Sequence, residues 1–133
     1  MIKALLFDYG GTLDTNGIHW SEKFWEIFQR NNISFPKEEH NKAFVYAEPF
    51  TPKYIKFNDK LFETLKVQIY FILKYLNDNK IYQFNDLENK AIYLANECIN
   101  DVLKNVETTK KVLSELKNNF KLGVVSNYYG NLE

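Results

Sequence analysis

Two hydrophobic patterns alternate along the chain, and they predict two kinds of element. Near each end lies a short apolar run with little to interrupt it: Lys3 to Phe7 at the start, and Phe120 to Val125 toward the finish. Such runs are long enough for a buried parallel strand and too short for a helix. Between them, from Ile18 to Val106, apolar residues return every three or four positions, the period of an amphipathic helix. Trp20, Phe24, Ile27 and Phe28 make the first stripe, with polar residues between Ser21 and Glu26 opposite it and Asn32 and Pro36 marking its end. Lys37 to Ala47 reads as a second helix, broken around Pro49 and Pro52 because proline has no N–H to give to a helix interior.

The longest stripe is Leu61, Leu65, Ile69, Ile72, Leu73 and Leu76, with Asn58 or Asp59 as its cap. Val67, Tyr70, Phe71 and Tyr75 widen it, so this helix is expected to touch neighbours on two sides. Asp86 caps a fourth helix that buries Ala91, Leu94, Ala95, Cys98 and Val102 and ends near Lys104 and Asn105. Four such helices predict a bundle, and the class is α/β: a parallel-sheet core with a helical bundle inserted into it. His40 reads as a surface residue.

The candidate chemistry sits where the strands end. Asp8 follows the first apolar run, and open α/β sheets gather ligands outside the carboxyl ends of their strands. Gly10 and Gly11 supply a loop that can approach an anion closely, and Thr12 adds a hydroxyl. A carboxylate beside such amides suits either attack on phosphorus or ligation of magnesium. The second run also ends in polar residues, Ser126 and Asn127. A strand-end Asp followed by glycine is also ordinary turn chemistry, so the pairing of the two strand ends is what favours function.

FDYGGTLD at Phe7 to Asp14 and VVSN at Val124 to Asn127 together resemble the first and second motifs of the haloacid dehalogenase (HAD) superfamily. Glu107 to Gly123 is similar to the helix and turn that lead into that family's second motif. The resemblance implies a Rossmann-like core over residues 1–14 and 105–133, and a helical cap over 15–104 that closes over the site and chooses the substrate. It implies a magnesium-dependent phosphatase of a small phosphorylated metabolite, with Asp8 as the nucleophile that forms an aspartyl-phosphate. Asp8 and the carbonyl of Gly10 would share Mg2+, and Gly10, Gly11, Ser126 and Asn127 would hold the phosphate. His19 and Trp20, at the approach to the cap, are candidate substrate contacts, although Trp20 also fits as the first apolar residue of its helix and His19 as its solvated neighbour.

Two departures from the family pattern qualify this expectation. Family phosphatases usually carry an Asp two positions after the nucleophile, to protonate the leaving group; here Gly10 stands there. General acid–base help is worth about 10²- to 10⁴-fold, so its loss slows turnover and favours good leaving groups. Tyr9, adjacent to the nucleophile, reads as a packing residue. The family's third and fourth motifs lie downstream of the second, so the 133-residue chain resembles the N-terminal part of such a protein, with weak or no activity alone. The alternative is a non-catalytic HAD-like binding or regulatory protein. On either reading, the open edges and uncovered faces of so small a sheet favour a homodimer or exchange of elements between copies.

Composition adds exclusions. Lys and Arg total 17, as do Asp and Glu, so no net field recommends nucleic acid or a membrane surface. The one cysteine, Cys98, has no partner for an internal disulfide and sits on an apolar helix face. The run before Asp8 is too short for a signal peptide, and none approaches the roughly 18 apolar residues of a membrane helix. A cytoplasmic location is expected.

Overall fold

The two apolar runs become neighbours. In the computed structural model, which describes residues 1–126, Ala4–Phe7 (β1) and Lys121–Val124 (β2) pair in parallel to form a two-stranded sheet. Leu5 stands opposite Leu122, and Phe7 opposite Val124. Backbone bonds from Lys121 N–H to Lys3 O (3.0 Å) and from Val125 N–H to Phe7 O (2.9 Å) extend the ladder at both ends. Gly123 faces Leu6, where a Cβ would come within 2.9 Å of the leucine side chain. Parallel pairing has a direct consequence for function: both carboxyl ends, and so Asp8 and Ser126, emerge on the same edge.

Five helices lie between the strands: Trp20–Arg30 (α1), Lys37–Ala47 (α2), Thr51–Tyr54 (α3), Leu61–Asp78 (α4) and Leu87–Leu116 (α5). The stripe predicted for α4 is its buried face, with Ile69, Ile72, Leu73 and Leu76 fully buried. It packs between α2 and α5, the central place its wide apolar surface implies. Phe24, Ile27 and Phe28 of α1 and Ala91, Leu94, Ala95 and Cys98 of α5 complete the same core. Burying one such large apolar side chain is worth about 1.5–3 kcal/mol, so the bundle carries most of the hydrophobic stabilisation. The architecture is predominantly helical beside a small parallel sheet, compatible with the α/β class. Among the described residues no helix is long and apolar enough to cross a membrane.

Three local expectations are corrected. The cap of α4 is Lys60, whose N–H donates to Glu63 Oε2 at 2.9 Å, while Asp59 closes the preceding turn by accepting from Lys56 N–H at 2.8 Å. The fourth helix does not end near Asn105. It continues for 30 residues to Leu116, because no glycine or proline between Asp86 and Phe120 stops it. Its distal half reaches the loop after β1, where Thr109 Oγ1 donates to Leu13 O at 3.0 Å and Asn105 Nδ2 to Asp14 O at 3.4 Å. One rigid rod thus fixes the bundle relative to the sheet.

His40 is the third correction. It is fully buried, with Nε2 2.8 Å from the carbonyl of Ser21 and its ring packed against Trp25, Phe28 and Phe35. Its Nδ1 is buried and finds no hydrogen-bond partner among the described residues. Burial pushes its pKa below the ordinary 6.5, since a charged ring would lose its hydration.

Candidate functional site

Asp8 is exposed at the end of β1, its Oδ1 accepting from the N–H of Tyr9 at 2.8 Å. The next residues turn sharply. Gly10 (φ −68°, ψ 122°) and Gly11 (φ 79°, ψ 0°) have the angles of the two central residues of a type II turn. Only the second of these requires glycine, because a side chain at positive φ crowds the backbone. The Gly11 N–H donates to Asp14 Oδ1 at 2.8 Å. It is therefore committed to holding the loop, and Gly11 does not line the cavity described below.

Asp14 is fully buried and joins this loop to the first helix. Its Oδ2 accepts from Trp20 Nε1 at 2.9 Å. Burial raises the carboxyl pKa, against the hydrogen bonds from Gly11 and Trp20 that favour the charged form. The segment Thr15 to Ile18, a turn by composition, is closed by Gly17 N–H to Thr12 O (3.2 Å), Ile18 N–H to Thr15 O (3.3 Å) and Thr15 Oγ1 to Ile18 O. Asn16 and Gly17 take positive φ there. His19 then caps α1, its Nδ1 accepting from Ser21 N–H at 3.1 Å.

These elements enclose a cavity of about 310 Å³. Asp8, Gly10 and Ser126 form its floor at the strand ends, and His19 and Trp20 form one wall. Its roof comes from the bundle: Phe44 and Glu48 at the end of α2, and Thr64, Leu65 and Gln68 on α4. The sequence-predicted residues Asp8, Gly10, Ser126, His19 and Trp20 are thus brought together. Asn127 lies outside the described residues. Tyr9 turns elsewhere, into an apolar groove with Leu13, Leu113 and Leu122, and burial there pushes its phenol pKa up.

The roof residues were not singled out from the sequence, although two signals were present. Thr64 and Gln68 are polar residues four apart within the otherwise apolar buried face of α4, and both are nearly inaccessible. Glu48 sits at the carboxyl end of α2, where the helix dipole disfavours an acid. Its Oε1 accepts from Gln68 Nε2 at 2.9 Å, so each explains the other.

Among the described residues no group of three or more His, Cys, Asp or Glu side chains is arranged to hold a metal ion. Magnesium demands near-octahedral oxygen ligation, made up with water and substrate phosphate where the protein offers few carboxylates. Among the described residues Asp8 is the one carboxylate on the cavity floor, and Glu48 on the roof is paired with Gln68. These donors do not by themselves fit a magnesium centre. What the floor does offer is a carboxylate at an open strand end, beside a hydroxyl and under an aromatic and polar roof. Compared with protein-family models, with curated proteins and with solved structures, the chain matches none.

Proposed function

We propose that this protein is a HAD-like hydrolase that removes phosphate from a small phosphorylated metabolite through an aspartyl-phosphate on Asp8. The observation that carries this reading is the adjacency of Asp8 and Ser126 on paired parallel strands, both opening into one cavity roofed by helices. A cavity of this size suits a small metabolite.

In this mechanism a carboxylate oxygen of Asp8 attacks phosphorus, the ester P–O bond breaks, and the departing oxygen takes a proton. Ser126 donates its hydroxyl hydrogen to a phosphoryl oxygen, where charge is spread in the transition state. Gly10 has no proton to give, so the departing oxygen is protonated by water and alcohols of low pKa leave best. Water then attacks phosphorus of the acyl phosphate, releasing inorganic phosphate and restoring Asp8. His19 and Trp20 wall the substrate. Magnesium belongs to the reading through the family resemblance, and no step here is routed through it.

The test is to incubate the protein with acetyl phosphate and magnesium and map the product by mass spectrometry. A hydroxylamine-labile phosphoryl group on Asp8, absent from Asp8→Asn, is expected. Modification undiminished in Asp8→Asn would reject the nucleophile. The alternative, a non-catalytic binding protein, is favoured by the one floor carboxylate among the described residues and predicts phosphate binding with no adduct.

A further inference from the structure

The charge of the cavity is unusual for a phosphate site. Its two charged lining residues among those described are both acidic, Asp8 on the floor and Glu48 on the roof, with no lysine or arginine between them. A phosphate dianion entering alone meets repulsion from both ends. The carbonyls at the end of α2 add partial negative charge beside Glu48, and the last turn of that helix has no basic residue to offset it.

Glu48 is also held as a ligand group would be. Gln68, nearly buried, donates to its Oε1 at 2.9 Å and orients the carboxylate of Glu48, which is itself exposed at the cavity. Phe44 stands one helical turn before Glu48, with its ring centroid 5.8 Å from that of His19, and Trp20 continues the same aromatic wall. Aromatic faces beside a carboxylate are what recognises an ammonium group: the ring quadrupole attracts the cation and the carboxylate neutralises it.

We infer that the roof of the cavity binds a cationic ammonium group, so that the substrate class is the phosphate monoester of an amino alcohol. Such a zwitterion carries its own positive charge to Glu48 and presents its phosphate to the floor. The phosphate half of this statement rests on the proposed function above; the ammonium half stands on Glu48, Gln68, Phe44 and Trp20 alone.

The chain has two tryptophans, one on this wall and the other, Trp25, packed against Phe35 and His40. Their indole N–H signals in a ¹⁵N-labelled sample provide a probe and an internal control. Choline, phosphocholine and 2-phosphoglycolate are titrated separately. Choline and phosphocholine are expected to move the Trp20 signal and leave Trp25 in place, with phosphocholine binding more tightly than phosphoglycolate. Glu48→Gln, which keeps an oxygen for Gln68, is expected to weaken choline binding ~10-fold, and Phe44→Leu to weaken it by roughly 3-fold. The inference is overturned if choline leaves the Trp20 signal unmoved, if Glu48→Gln binds choline as tightly as the native protein, or if phosphoglycolate binds better than phosphocholine. Choline carries no phosphate and acetyl phosphate no ammonium, so this test and the Asp8 adduct test fail independently.

Discussion

Trp20 and Asp14 are joined by a 2.9 Å hydrogen bond from the indole nitrogen to a fully buried carboxylate. The other oxygen of that carboxylate holds the amide of Gly11 at 2.8 Å. A single buried side chain thus sets the turn after Asp8 and the start of the helix that walls the cavity. The shape of the site depends on a residue that does not touch its contents.

Replacing Asp14 tests this linkage. In Asp14→Ala both donors lose their acceptor inside the protein, and each unsatisfied group costs about 1–3 kcal/mol. Asp14→Asn turns an amide NH2 toward one of the two donors and loses about half as much. Urea denaturation is expected to show the order native, then Asn, then Ala. Equal stability of all three would mean that the carboxylate does not organise the loop.

His40 gives a pH dependence with a definite sign. Its folded pKa lies below the ordinary 6.5, so between the folded value and 6.5 the unfolded chain binds a proton that the native ring does not. Stability is therefore full above about 6.5 and is lost as pH falls through that window toward the folded pKa. His40→Phe keeps an aromatic ring among Trp25, Phe28 and Phe35 and removes the titration. Thermal melts from pH 7.5 to 5 are expected to fall less steeply for this variant than for the native protein.

At Asp101 the charged form is the favoured one, although its pKa, like that of His40, is lowered. Its carboxylate is burdened by burial, yet the bonds from Lys23 (2.9 Å) and Arg30 (3.2 Å) outweigh that and hold its pKa below the ordinary carboxylate value. Lys23 is itself nearly buried and keeps Glu26 as a second partner at 3.1 Å. Asp101→Asn is expected to cost about 1–3 kcal/mol, because one carboxylate remains for the buried ammonium. The native protein should lose that increment as pH falls below the ordinary carboxylate range, and the variant should not. Double-mutant cycles with Arg30→Met would separate the exposed bond to Arg30 from the buried one.

Much of the fold was legible because it obeys local rules. The two apolar runs pair as strands nearly at the expected limits, although neither strand is buried as expected and Leu6 and Val124 are exposed; the second helix spans the predicted Lys37–Ala47. For His40 the deciding contacts are distant in sequence. His40 looked exposed because its neighbours Glu39, Asn41 and Lys42 are polar, whereas the carbonyl of Ser21 and three aromatic rings enclose it. Asn105 looked like a helix end because a polar cluster surrounds it, yet nothing there breaks the backbone. The floor of the site lies at strand ends, which pattern can find; its roof depends on how α2 and α4 cross, which pattern does not encode.

The two glycines after Asp8 make unequal demands, and substituting them separates fold from chemistry. Gly11 needs positive φ: an added Cβ would sit 3.6 Å from Ile18 O, an ordinary contact, so Gly11→Ala should cost about 1–2 kcal/mol from backbone conformation alone. Gly10, at φ −68° and ψ 122°, has angles open to any residue, so Gly10→Ala carries no comparable backbone cost. The same freedom allows Gly10→Asp, which restores an acid two positions after the nucleophile. If Asp8 forms an acyl phosphate, the new carboxyl should protonate the leaving oxygen and then draw a proton from the attacking water. Hydrolysis of an alkyl phosphate is then expected to rise by about 10²- to 10⁴-fold, and that of 4-nitrophenyl phosphate, whose leaving group needs little protonation, by much less. Equal gains on both substrates would show that position 10 does not act as the acid.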